Sequence, residues 1–206
     1  MYMQKVELKI KKRAISQVSY GKDDFVFDMQ YRPNKRSRGN ISQAVRSILS
    51  SSIKESDITG YLDPEGDGNC GFRAIAFLVN RNGPSYEDGD QYLEVRSRML
   101  ETYQKLKPIY KERFPAFQIE RLEETIKKGM KKKEIAEWFY GPDCAQVVAD
   151  TYGVPVCVYP SAELEHSAVN PPLTFLPLEL PKHKSKPVAI HLQNGHNLHW
   201  YAISFG

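Results

Sequence analysis

The sequence predicts an α+β fold in which a small β-sheet is flanked by helices. In the middle of the chain, apolar residues recur at three- and four-residue steps, as at Ile119, Leu122 and Ile126, which is typical of amphipathic helices. Toward the carboxyl end, apolar and β-branched runs at residues 154–159 and 187–192 predict strands instead. Helices followed by a group of strands indicate an α+β protein.

The composition is that of a globular protein. Of the 206 residues, 41% are hydrophobic and 26% charged, which excludes collagen-like, low-complexity and wholly disordered chains. The net charge of +4 is too small to require nucleic acid as a partner. No run approaches the roughly 18 apolar residues needed to cross a bilayer, and charges interrupt the apolar residues at the amino terminus. We therefore expect an intracellular protein, cytoplasmic or nuclear, without a membrane partner.

The three cysteines argue for the same setting. Cys70, Cys144 and Cys157 are odd in number and widely spaced, so they fit neither a disulfide framework nor the paired spacing of a zinc site. The apolar neighbours of Cys144 and Cys157 place these two residues in the core, and Trp138 is also predicted there. We expect a reducing compartment and no metal.

The chain divides into an extension and one larger domain. Residues 1–40 contain two stretches in which apolar and polar residues alternate, which predicts short strands, and they end in a basic linker rich in turn formers. This linker is interpreted as a solvated loop, with a nuclear address or a nucleic-acid contact as the alternative. Residues 41–206 form the predicted domain, which begins with a helix carrying apolar residues from Ile41 to Ile53.

The stretch that carries chemistry is DGNCGFRA, at residues 67–74. It places Cys70 where a glycine-rich loop meets the first turn of a helix. The unpaired N–H groups and positive pole of a helix start favour the thiolate over the thiol. The glycines let the backbone approach a substrate carbonyl. The amides of Asp67, Gly68 and Cys70 are therefore candidates for an oxyanion hole.

A nucleophilic cysteine needs an imidazole that accepts its proton and returns it to the leaving amine. Three of the five histidines lie near the carboxyl terminus. His199 opens the last predicted strand, which follows an Asn194-Gly195 hairpin signal. His199 is the candidate base because a strand can fix its ring, whereas the alternative, His196, lies in the turn.

These residues resemble the OTU (ovarian tumour) family of cysteine proteases, which are deubiquitinating enzymes. The resemblance rests on DGNCGFRA, on the His199-Trp200 pair and on the pattern from Trp138 to Tyr159, and it covers residues 61–206. It implies a papain-like OTU fold in a catalytic domain over residues 41–206, with Cys70 as nucleophile and His199 as general base. Asp67 matches the acidic position of the family's Asp-Gly-x-Cys signature.

The resemblance also implies what the protein acts on. The expected reaction removes ubiquitin or a ubiquitin-like modifier from proteins or from polyubiquitin chains, and needs no metal or organic cofactor. We expect a monomer that does not bind nucleic acid.

The third member of the catalytic triad stays open. Many OTU proteases carry Asp or Asn two residues after the histidine, and this chain has Tyr201 there. The ring can instead be oriented by Asn197, by Asp67 or by an acidic residue from the segment before the motif. The alternative roles are a turn residue for Asn197 and a loop-capping residue for Asp67.

Two further functions stay open. The missing acid after His199 allows a non-catalytic OTU-like module that binds ubiquitin without cutting it. A nucleic-acid-associated protein, in which the basic linker matters more than the cleft, is the other alternative.

Overall fold

A computed structural model describes residues 43–79, 90–114, 119–129, 138–165, 171–179, 188–195 and 199–206. The predicted extension over residues 1–40, together with His196 and Asn197, lies outside these ranges. The elements in chain order are α1 (Gln43–Ile48), a 3-10 turn (Glu55–Asp57), β1 (Ile58–Leu62), α2 (Cys70–Val79), α3 (Gln91–Arg113), α4 (Ile119–Lys127), α5 (Gly141–Tyr152), β2 (Val156–Tyr159), α6 (Ala162–Glu165), β3 (Leu173–Phe175), β4 (Ile190–Asn194) and β5 (Trp200–Phe205).

The described strands form one five-stranded sheet in the order β1-β5-β4-β2-β3. Strands β2 and β4 pair in parallel, and every other neighbouring pair is antiparallel. Helix α2 packs against β4 and β5, and α3 packs against α2, α4 and α5. The predicted α+β class is confirmed, and so is the antiparallel pairing of the last two strands. Asn194, predicted in the turn, is instead the last residue of β4 and pairs with Trp200.

A cluster of aromatic rings holds α2 against the sheet. The buried ring of Phe139 makes edge-to-face contacts with Phe72 of α2 and Trp200 of β5, with centroid distances of 5.3 and 5.4 Å. The indole Nε1 of Trp200 donates to the carbonyl of Phe139 at 3.0 Å. A Cβ on Gly71 would lie 2.5 Å from Phe139 Cβ, so only glycine allows this close approach.

Polar contacts fix the segment after α1 on the other face of the sheet. Gln193 of β4 is fully buried, and its Nε2 donates to the carbonyls of Ile48 at 3.1 Å and Pro160 at 2.7 Å. Its Oε1 accepts from the backbone N–H of Ser50 at 3.2 Å. Residues 43–53 therefore belong to the same folded unit as the sheet.

Three local predictions are wrong. Cys157, predicted in the core, is only partly buried on β2. The first helix is shorter than its apolar pattern, ending at Ile48 rather than near Ile53. Trp138, predicted in the core, is 43% exposed, and the next residue, Phe139, fills the core instead. The sequence pattern does not show which of two adjacent aromatic residues is buried, because this depends on which of them packs against other elements of the fold.

Candidate active site

The loop between β1 and α2 carries the candidate nucleophile to the end of the sheet. Strand β1 ends at Leu62, and α2 begins at Cys70 itself. Gly68 has a φ of 85°, a left-handed conformation that only glycine adopts without strain. The carbonyl of Asn69 accepts the N–H of Arg73 at 2.8 Å and so starts the helix. Cys70 thus lies at the loop-to-helix junction that the sequence predicts.

The sulfur of Cys70 lies beside the strand that follows His199. The backbone N–H groups of Trp200, Gly71 and Cys70 itself act on this sulfur and favour its charged form. The residue is fully buried, and this burial raises the pKa of the thiol although the three N–H groups oppose it. The expectation that the helix start favours the thiolate is therefore wrong for the resting protein, because loss of solvent outweighs the N–H donors.

His199 is hydrogen-bonded to a carboxylate at the start of the loop between β1 and α2. Its Nε2 lies 2.8 Å from Oδ1 of Asp63, the first residue after β1. The imidazole is mostly buried, with 18% of the side chain exposed, whereas Asp63 is 52% exposed. The ring of Tyr201 packs edge-on against the imidazole, with a centroid distance of 4.7 Å. Tyr201, which stands where many OTU proteases carry an acid, thus supports the ring by packing.

The other ring nitrogen faces the nucleophile loop. A Cβ built on Gly66 would lie 3.8 Å from Nδ1 of His199. Because a carboxylate can only accept, the contact with Asp63 puts the ring proton on Nε2 and leaves Nδ1 as the acceptor. His199 thereby presents a basic nitrogen toward the segment that leads to Cys70.

Asp67 is engaged within its own loop. Its Oδ1 accepts the backbone N–H of Asn69 at 2.9 Å, and its Oδ2 accepts from Asn69 Nδ2 at 3.2 Å and from Arg73 Nη2 at 2.7 Å. Burial acts to raise the pKa of this carboxyl, but the bonds from Arg73 and Asn69 prevail and hold it below its usual range. These contacts match the loop-capping role, and it is Asp63, not Asp67, that bonds the ring of His199.

The sequence indicated Asp63 only as one of several acidic residues before the motif. The signal that identifies it is strand pairing, because β1 and β5 are antiparallel and Leu62 lies opposite Ala202. Asp63, the residue after Leu62, is therefore close to His199, which directly precedes β5. This register is a property of the sheet and could not be read from the local sequence.

Two further features are absent from the described ranges. No group of three or more His, Cys, Asp or Glu side chains there is arranged to hold a metal ion. None of the described helices is both long enough and apolar enough to cross a membrane. Cys144 is buried, as predicted, and burial raises the pKa of its thiol to about 12, which is the behaviour of a structural cysteine.

Comparison with known proteins gave matches among solved structures alone. No protein-family model matches the chain, and no curated protein matches it. The OTU domain of the Hazara virus, solved bound to ubiquitin, is similar with a TM-score of 0.49 and 16% identity, over 79% of this chain and 98% of that chain.

Two other OTU structures are similar to a comparable degree. The viral OTU domain protease of Qalyub virus matches with a TM-score of 0.47 and 13% identity, over 71% of this chain and 84% of its own. The OTU domain of OTUD1 matches with a TM-score of 0.47 and 14% identity, over 70% of this chain and 85% of its own.

Proposed function

We propose that the chain is a cysteine-type isopeptidase that removes ubiquitin or a ubiquitin-like modifier from proteins or from polyubiquitin chains. The observation that carries the proposal is that the start of β5 contacts both the nucleophile loop and the end of β1. The backbone N–H of Trp200 acts on the sulfur of Cys70, and His199, the residue before Trp200, bonds through Nε2 to Asp63. A nucleophile, a base and an orienting acid in this order form the arrangement that thiol proteases use.

Because the pKa of the Cys70 thiol is raised, the proposed reaction needs a general base. In the resting protein the sulfur carries its proton, so the attack requires a group that removes the proton during the reaction. Nδ1 of His199 takes this proton as the sulfur bonds to the carbonyl carbon at the modifier's carboxyl-terminal glycine. The imidazolium that forms is stabilised by Asp63, whose carboxylate lies 2.8 Å from Nε2.

The remaining steps return the enzyme to its starting state. The carbonyl oxygen becomes an oxyanion, for which the backbone amides of Asp67, Gly68 and Cys70 are the proposed donors. The bond between carbon and the lysine nitrogen then breaks as His199 gives its proton to the departing amine, leaving a thioester on Cys70. Water, deprotonated by His199, attacks the thioester and releases the modifier's carboxylate and the free thiol.

The proposed partners follow from this reaction. Ubiquitin or a related modifier would place its carboxyl-terminal tail across the loop between β1 and α2, and the modified lysine would leave on the other side of Cys70. We propose that the protein acts as a monomer inside the cell, in the cytoplasm or the nucleus, where ubiquitin conjugates and reduced thiols are found.

The test is covalent labelling by ubiquitin carrying an electrophile at its carboxyl terminus. We expect the wild-type protein to be labelled on Cys70, and we expect labelling to disappear in Cys70→Ser and to fall at least about 100-fold in His199→Ala. Cys157→Ser is the matched control, since this half-buried cysteine lies on β2, and it should label at the wild-type rate.

The same experiment separates the alternatives. A wild-type protein that binds ubiquitin but is never labelled contradicts the isopeptidase proposal and favours the non-catalytic binding module. Labelling that persists in Cys70→Ser contradicts the assignment of the nucleophile. Cleavage of polyubiquitin chains by wild type and by the same variants should follow the labelling result.

A further inference from the structure

A fully buried arginine contacts the chain on both sides of the nucleophile. Arg96 lies in α3, outside the proposed triad, and its side chain has no exposure to solvent. Removing a guanidinium from water is costly unless hydrogen bonds compensate it. The guanidinium of Arg96 is therefore held by several contacts.

One edge of the guanidinium is anchored on a helix end. Nη1 donates to the backbone carbonyls of Thr125 at 2.6 Å and Ile126 at 3.2 Å, which lie in the last turn of α4. The final carbonyls of a helix lack partners within it and carry partial negative charge, so a cation is stabilised there. This anchor fixes Arg96 independently of the nucleophile loop.

The other edge holds the residue that precedes the nucleophile. Nε and Nη2 of Arg96 both donate to Oδ1 of Asn69, at 3.0 and 2.8 Å. With Oδ1 occupied by two donors, the Asn69 Nδ2 is directed to Asp67 Oδ2 at 3.2 Å. The backbone N–H of Asn69 donates to Asp67 Oδ1, and its backbone carbonyl accepts the N–H of Arg73.

The face of the guanidinium reaches the other side of Cys70. The Cζ atom lies 3.6 Å from the centroid of the Phe72 ring, a cation–π contact that is favourable when water is excluded. Arg96 thus touches the residue before Cys70 and the residue two positions after it. A shift of this side chain would move the loop amides and the first turn of α2 together.

We propose that Arg96 is a positioning residue, which fixes Cys70 and the amides of the nucleophile loop through Asn69 and Phe72. The inference rests on the proposed isopeptidase function. Arg96 bonds to residues that flank Cys70, so its effect should be on the rate of the chemical step rather than on ubiquitin binding. A misplacement of about 1 Å at a reacting group can cost roughly 100-fold in rate.

The test compares Arg96→Lys with Arg98→Lys in steady-state cleavage of a ubiquitin substrate. Lysine keeps the charge but loses the planar fork that bonds Asn69 and the α4 carbonyls at once. We expect kcat to fall roughly 10- to 100-fold in Arg96→Lys with KM within about threefold of wild type. Arg98 lies in the same helix and pairs with Glu94, and its variant should keep the wild-type kcat.

A second variant keeps the proposal testable if Arg96→Lys does not fold. Asn69→Ala removes the acceptor and leaves Arg96 anchored on Thr125 and Ile126, and kcat should fall by a similar factor. In the double variant Arg96→Lys/Asn69→Ala the losses should not multiply, because the two residues act through one contact. An unchanged kcat in Asn69→Ala, or losses that multiply in the double variant, would overturn the proposal.

A readout without ubiquitin separates this inference from the proposed function. The rate at which iodoacetamide alkylates Cys70 in the native protein, followed by mass spectrometry against pH, reports the thiol's surroundings. The pH midpoint should rise by about 0.5–1 in Arg96→Lys, because the N–H donors at the sulfur lose alignment, and stay unchanged in Arg98→Lys.

The combined outcomes decide both proposals. If the ubiquitin probe does not label the wild-type protein but the pH midpoint still rises in Arg96→Lys, Arg96 positions Cys70 and the proposed function is wrong. An equal midpoint in wild type and a folded Arg96→Lys overturns the positioning role. A wild-type Cys70 that reacts with neither reagent overturns both proposals.

Discussion

Removing the carboxylate of Asp63 should slow the proposed reaction by a moderate factor. The bond that is lost joins Asp63 Oδ1 to His199 Nε2 at 2.8 Å, and hydrogen bonds to charged groups contribute roughly 1.5–3 kcal/mol. Asp63 is 52% exposed, so water replaces part of the interaction, and the lower half of that range applies. A loss of about 1.5–2 kcal/mol corresponds to a fall in kcat of roughly 10- to 30-fold in Asp63→Ala.

Asp63→Asn distinguishes orientation from charge. The amide oxygen of asparagine can still accept the ring N–H, so it keeps His199 in the same tautomer but does not stabilise the imidazolium as a carboxylate does. We expect a loss of about three- to tenfold, smaller than in Asp63→Ala. The assay is steady-state cleavage of a ubiquitin substrate, with the rate of probe labelling as a second measure.

The control is Glu65→Ala in the same loop. Glu65 is 75% exposed and lies 4.0 Å from Arg73. Glu65→Ala therefore removes the same charge as Asp63→Ala but leaves the hydrogen bond of His199 in place. It should leave kcat within about twofold, as is usual for an exposed charge. If Asp63→Ala keeps the activity of Glu65→Ala, Asp63 does not orient the base, and another residue must do so.

Two predictions concern stability. Gly71→Ala places a methyl group 2.5 Å from Cβ of the buried Phe139, which should cost about 2–3 kcal/mol and lower Tm by about 5–10 °C. In Gly66→Ala, where the nearest atom is 3.8 Å away, Tm should change by less than about 2 °C, and equal Tm values would contradict the packing argument. The carboxyl of Asp150 is buried, and this burial raises its pKa to about 6. The stability that this group contributes is therefore complete below about pH 4 and is lost as the pH rises through about 6. Between pH 5 and 7.5 the free energy of unfolding of wild type should fall by about 1.5 kcal/mol relative to Asp150→Asn, and parallel pH curves for the two proteins in chemical denaturation would contradict the assigned pKa.

Local patterns determined much of the fold and two members of the candidate site. Helical spacing of apolar residues identified α4, and β-branched runs identified β2 and β4, because these periodicities reflect which side of an element is buried. The position of Cys70 at the start of a helix followed from the glycine-rich loop beside it. His199 followed from its place at the start of the last strand, and the Asn-Gly signal before that strand predicted its antiparallel pairing with β4.

Long-range strand pairing decided the rest, because the residues next to Asp63 along the chain do not specify which distant segment β1 pairs with. The antiparallel register of β1 and β5 brought Asp63 to His199, residues that are 136 positions apart. Three-dimensional packing also set the electrostatics. The helix start predicted an acidic thiol, but Cys70 is fully buried, and this burial raises the pKa of its thiol. The chain by itself therefore named the candidate nucleophile and the candidate base, and only the folded sheet brought Asp63 to the histidine and buried the sulfur.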